Sequence, residues 1–240
     1  MKVYENCTSA LWILYALLWC CGVASYLFLG GPPAGSRWTA PSFLFGAALL
    51  TVCLTSPGQR WQLAAAGIIG MAAEFASLRW AFPFGTYSYT NVLSPALLGT
   101  PAAIGCAWLV LFAYVRQMLA WIHVNTFAKA VIGASWMTAL DLVIEPLAAG
   151  PLGFWIWAES GRYYGIPAGN FAGWFAVSLL LFLVLRGSPE KNRRATLVGL
   201  SIILFVTIIA IGRLIAGPAF AGVVLSTAHA AMVTAGRKFD

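Results

Sequence analysis

The chain reads as an all-α integral membrane protein, a polytopic bundle of 7–8 transmembrane helices with two ordered outer loops rich in aromatics, Gly and Pro. Three observations predict this. Of 240 residues, 61% are hydrophobic and only 9% charged, whereas a soluble domain carries roughly 25% charged residues. Apolar runs recur from end to end, many of them reaching the roughly 20 residues that a bilayer crossing requires. Short polar or Gly/Pro-rich breaks separate these runs, so residues 1–240 are expected to form a single transmembrane helical domain.

Taken in order, the spans fall near 9–29, 41–56, 61–79, 95–119, 126–148, 169–186, 195–216 and 218–235. The first follows Lys2 and runs apolar from Leu11 to Leu29. That is long for a signal-peptide core, and no small-residue cleavage site follows a polar segment, so an uncleaved span is expected. The second and last spans are short. Only Gly217-Pro218 divides the last two, which leaves open a seven-span arrangement with a bent final helix.

Charge placement orients the bundle. With the N-terminus in the cytoplasm, the inner side carries Lys2, Arg60, Arg116, Lys129, Arg186, Lys191, Arg193, Arg194, Arg237 and Lys238. The outer side carries Arg37, Arg79 and Arg162, with Arg213 near the outer end of span seven. Ten against four follows the positive-inside rule. The net charge of +7 therefore reads as a topology signal and not as a nucleic-acid footprint, because the cations sit singly or in short clusters between spans.

Two connections differ from ordinary loops. Residues 80–94 read WAFPFGTYSYTNVLS and residues 149–170 read AGPLGFWIWAESGRYYGIPAGN. Interfacial anchoring accounts for scattered Trp and Tyr. Dense Gly/Pro punctuation implies defined turns, so ordered lid-like or re-entrant loops are expected.

The seven acids divide cleanly. Glu5, Glu190 and Asp240 are terminal or in a loop, and Glu159 lies in the second aromatic loop. Glu74, Asp141 and Glu145 lie inside spans three and five. Acids within membrane spans are costly and mark function. All three fall in the outer half of the bilayer, beneath the aromatic loops. Asp141 and Glu145 are four apart and share a helix face, where two like charges in a dry site would not both ionise. Pro146 deprives the Leu142 carbonyl of its helical donor, leaving it free to orient a water or an acid. The competing reading pairs these acids with Arg79, Arg213 or backbone groups in a purely structural role.

Other chemistry finds little support. Cys7, Cys20, Cys21, Cys53 and Cys106 show no metal-binding spacing and no disulfide framework. His123 and His229 lack companion ligands at helical spacing, so no metal is expected. Lys129 lies at an inner span end, which disfavours a retinal-type Schiff base.

The segments FPFGTYSYT at 82–90, DLVIEP at 141–146, WIW at 155–157 and GRYYGIPAGNFAGW at 161–174 resemble the CruF-type carotenoid 1,2-hydratases, a family that includes bisanhydrobacterioruberin hydratases. The resemblance covers about residues 60–186. Family members commonly carry Asp where this chain has Glu145; the acid is kept, with a reach longer by one methylene. The resemblance implies carotenoid biosynthesis by addition of water to the terminal C1=C2 bond of a lipid-soluble acyclic carotenoid. It implies no redox cofactor and no metal, and a site in a bacterial or archaeal cell membrane. In that chemistry Asp141 is the expected proton donor and Glu145 its partner, while Glu74 positions or deprotonates water. Tyr87, Tyr89, Trp155, Trp157, Tyr163 and Tyr164 are expected to line the end-group pocket, and Asn170 to hold the water. Gly85, Gly165 and Pro167 shape turns. Three rivals remain at this level: a carotenoid end-group cyclase starting from the same protonation, a proton-coupled membrane transporter or channel, and a non-catalytic pigment-binding protein, which would keep the aromatics without needing three buried acids.

Overall fold

A computed structural model describes residues 2–187 and 191–236, with side chains for 8–187 and 191–234. Glu5 and Cys7 therefore enter only as backbone, and Glu190, Arg237, Lys238 and Asp240 lie outside the described residues.

Among the described residues the chain forms eight α-helices. They are α1 (Lys2–Phe28), α2 (Thr39–Leu54), α3 (Arg60–Trp80), α4 (Ala102–Leu119), α5 (Thr126–Ala149), α6 (Ala168–Val184), α7 (Arg193–Gly212) and α8 (Ala216–Gly236). Six helices are long and apolar enough to cross a membrane, and α2 and α6 are shorter apolar helices. Large apolar side chains such as Ile13, Leu17, Ile68, Leu180, Ile211 and Phe220 are exposed. In helices whose backbone bonds are met internally, such faces suit lipid. The protein is an all-α polytopic membrane protein.

The helix α4 is the central pillar. Nearly all of it from Val110 to Leu119 is buried, and it packs against α2, α3, α5 and α7. Close approach of α3 and α4 depends on small residues. A Cβ on Gly70 would lie 2.2 Å from Cγ of Trp108, and one on Gly105 would lie 2.6 Å from Met71. In the same way α4 meets α7 through Gly199 against Tyr114.

Three boundaries correct the sequence reading. The fourth span begins at Ala102 and not near 95. Residues 96–101 instead make a small antiparallel hairpin of β2 (Ala96–Leu97) and β3 (Thr100–Pro101), and Leu98 and Gly99 both have positive φ at its turn. The final pair is two helices, because the chain breaks at Arg213–Ile215, with Leu214 left-handed, before Gly217-Pro218 is reached. Pro218 sits in the first turn of α8, where its missing N–H costs nothing. The last helix is also full length, and α6 is the short one instead.

The two aromatic loops are ordered, and they pair. Tyr87–Tyr89 (β1) runs antiparallel to Trp155–Trp157 (β4), with Tyr87 opposite Trp157, Ser88 opposite Ile156 and Tyr89 opposite Trp155. Bonds from Thr90 N–H to the Phe154 carbonyl (2.9 Å) and from Ala158 N–H to the Thr86 carbonyl (3.0 Å) extend the ribbon. The Thr90 hydroxyl adds a bond to the Gly153 carbonyl at 2.7 Å. Below, the Phe84 N–H donates to the Ser77 hydroxyl at 2.8 Å, tying the first loop to the end of α3. The ribbon thus caps the end of the bundle where α3 and α5 finish and α4 and α6 begin.

Candidate functional site

Strand alternation places Tyr87, Tyr89, Trp155 and Trp157 on one face of the ribbon. Ser88 and Ile156 take the other face, and Ile156 is exposed. The four rings turn toward the acids. Glu74 and Glu145 lie within two turns of the ends of α3 and α5, so the ribbon's side chains reach them directly.

Glu74, buried on α3, accepts three hydrogen bonds. The Tyr87 hydroxyl donates to Oε2, the Tyr89 hydroxyl donates to the same oxygen at 2.8 Å, and the Trp108 indole donates to Oε1 at 3.1 Å. Glu145 on α5 accepts both ribbon indoles at Oε1, Trp155 at 2.5 Å and Trp157 at 2.6 Å. Asp141, one turn earlier, is fully buried. Its Oδ2 accepts the Asn170 amide at 2.7 Å, while Oδ1 is buried without a hydrogen-bond partner. Such an oxygen is uncommon in a folded protein and asks for an explanation.

All three acids line one cavity with about 1180 Å³ of non-atom space, its open mouth included. Its floor is aromatic. Trp108 and Trp174 stack at 4.1 Å with planes 14° apart, and Phe84 flanks both. From the acids the cavity continues between α1, α2 and α7, past Gly22, Tyr26, Phe43 and Phe205. That arm carries no charged side chain among its lining residues. One end of the cavity is therefore acidic and aromatic, and the other is plainly apolar.

The structural alternative of arginine pairing is not what holds the acids. Arg79 is exposed, and Arg213 donates to the Gly30 carbonyl at 2.8 Å. The donors reaching the three carboxyls are phenols, indoles and an amide.

The residues named from sequence divide on placement. Glu74, Asp141, Glu145, Tyr87, Tyr89, Trp155, Trp157 and Asn170 all line the cavity. Asn170 bonds to Asp141 directly. Tyr163 and Tyr164 are not among the lining residues. The Tyr163 hydroxyl donates to the Leu142 carbonyl at 2.8 Å, so the group freed by Pro146 has a donor from the second loop. Tyr164, left-handed at φ 51°, accepts the Gly217 N–H at 2.8 Å and ties the second loop to α8. His229 is buried and contacts the Tyr114 hydroxyl at 3.2 Å through Nδ1, stacking on its ring. Sequence reasoning missed Trp108 and the α1, α2 and α7 wall. A signal for Trp108 exists in the Gly67, Gly70 and Gly105 spacing, which brings α3 and α4 together at its side chain.

A family model described as carotenoid biosynthesis protein matches residues 40–235. The chain belongs to that family. A relative, the bisanhydrobacterioruberin hydratase of Haloarcula japonica, is 32% identical over 128 residues, which cover 50% of this chain and 43% of the relative. The match thus spans less than half the length of that curated relative. No solved structure matches the chain.

Proposed function

We propose that this carotenoid biosynthesis protein is a hydratase that adds water across the terminal C1=C2 bond of an acyclic carotenoid through a tertiary carbocation. The observation that carries the reading is the buried, partnerless Oδ1 of Asp141, a residue that lines an apolar cavity together with two hydrogen-bonded carboxyls. In its neutral form Asp141 gives its proton to C2 of the end group. The two π electrons of the double bond form the new C–H bond, and the positive charge falls on C1. Faces of Trp108, Trp174 and the ribbon aromatics stabilise that charge. Water attacks C1 and passes a proton to Glu74 or Glu145, and return of that proton to Asp141 closes the cycle. The net change is one water added, with no change of electron count.

The polyene tail lies in the apolar arm between α1, α2 and α7, and entry is sideways from the bilayer. Residues 60–186 supply the chemistry, while the arm recruits helices outside that core. The charge bias supports a cell-membrane location with the N-terminus in the cytoplasm and the ribbon on the outer side.

Expression in a lycopene-producing bacterium tests the reading by pigment mass. The expected product is heavier than lycopene by one water. An isomeric product instead marks a cyclase, and no new pigment with the protein present in membranes rejects both. Asp141→Asn is expected to lower conversion by about 10²–10⁴-fold, the usual range for a general acid. Glu74→Gln is expected to lower it as well. Full activity in both variants overturns the acid assignment.

A further inference from the structure

The end of the bundle opposite the ribbon holds a second cavity, between the last turns of α4 and α6 and the first turns of α5. It contains about 680 Å³ of non-atom space, its opening to solvent included, and Arg116, Lys129 and Arg186 line it. Arg116 is the unusual member. It is only 4% exposed, its Nε is buried without a partner, and its Nη2 reaches the Gly187 carbonyl only at 3.4 Å. Its guanidinium also lies over the Phe112 ring at 5.5 Å. A buried cation left short of acceptors is costly unless something completes it.

The surroundings favour an anion. Thr126, the first residue of the 24-residue helix α5, lines the cavity, so the positive end of that helix dipole adds to the three cations. The acidic side chains among the described residues, Glu74, Asp141, Glu145 and Glu159, belong to the ribbon end. Cations that only set topology need neither a cavity nor a buried guanidinium. A guanidinium with open N–H donors beside an ammonium and a second guanidinium matches a tetrahedral phosphate. Basic pockets between helices at a membrane surface take lipid headgroups in this way.

We propose that Arg116, Lys129 and Arg186 form a binding site for a phosphate group. The membrane supplies that group as the headgroup of an anionic phospholipid, or solution supplies it as free phosphate or diphosphate. The site stands independently of the carotenoid reading, since it shares no residue with the acid cavity.

The test uses the full chain purified in detergent. Native mass spectrometry measures retention of phosphatidylglycerol against phosphatidylcholine, with and without added inorganic phosphate or pyrophosphate. Preferential retention of phosphatidylglycerol is expected. Arg116→Gln should weaken it by at least about tenfold, as loss of a charge-assisted bond does. The paired variant Lys129→Gln with Arg186→Gln should weaken it several-fold, and Arg213→Gln at the ribbon end should leave it unchanged. Displacement by millimolar phosphate or pyrophosphate assigns the site to the free ion, and resistance to displacement assigns it to the lipid. If Arg116→Gln does not fold, the paired variant decides, because Lys129 and Arg186 lie less deeply buried. Equal retention of both lipids with no phosphate binding overturns the proposal. So does equal loss in Arg213→Gln, or binding unchanged in every folded variant.

Discussion

Three carboxyls line the same cavity in three different settings. Glu74 meets two phenols and an indole, Glu145 meets two indoles, and Asp141 meets one amide and leaves an oxygen bare. A carboxyl held by several donors is fixed in direction and serves as an acceptor, whereas the bare oxygen is the place from which a proton can leave. The phenols are dependable donors. Burial, and the Glu74 carboxylate beside them, push Tyr87 and Tyr89 well above the ordinary tyrosine range, so both stay protonated at any physiological pH. Tyr87→Phe and Tyr89→Phe should each lower conversion by about ten- to a hundredfold, as hydrogen bonds to a charged group are worth about 1.5–3 kcal/mol. Neither phenol should add an alkaline limb to the pH profile below pH 9. The three acids were legible in the sequence because a charge inside an apolar run stands out. The roles of neighbouring tyrosines were not legible. Tyr163 and Tyr164 look like pocket residues in a row of aromatics, yet turn geometry sends one to the Leu142 carbonyl and the other to α8.

At the level of elements, α3 and α4 hold Trp108 in place by having nothing else there. Gly70→Ala sets a methyl 2.2 Å from Cγ of Trp108 and 2.6 Å from its Cβ. The ring must move, which breaks its bond to Glu74 and disturbs the stack on Trp174. A loss of about 1–3 kcal/mol of stability is expected from such overpacking, measured by thermal unfolding in detergent, together with reduced conversion. Unchanged melting with normal activity would show that the contact relaxes freely. The order of the helices was largely readable from hydropathy, and so was the ordered character of the two loops. Their pairing was not, since Tyr87 and Trp157 are brought together by contacts across the intervening helices and not by any local signal. The start of α4 was misread for a related reason: Leu97 and Leu98 are apolar, but Pro95, Gly99 and Pro101 punctuate a hairpin.

Over the whole molecule, the chemistry and the walls come from different parts of the chain. The acids lie on α3 and α5, and the apolar arm of the cavity is built by α1, α2 and α7. Phe205→Trp narrows that arm, where Phe205 packs against Phe43 and lies beside Gly22. It should lower conversion of a long polyene more than that of a shorter acyclic isoprenoid, read as the ratio of hydrated products from the two. Equal losses on both would place the tail elsewhere. No pattern in residues 1–56 announced this wall, because a lining aromatic and a lipid-facing aromatic have the same composition and differ only in which way the helix turns.

The antiparallel register of the ribbon has a consequence for how the loops can vary over time. Because alternate residues face opposite sides, adding or removing one residue within either strand would exchange Tyr87, Tyr89, Trp155 or Trp157 for neighbours such as Ser88 or Ile156. Substitution at Ser88 and Ile156 is open to drift, and length is not. Related chains that keep this site should differ in the letters of these two loops far more readily than in the number of residues along each strand.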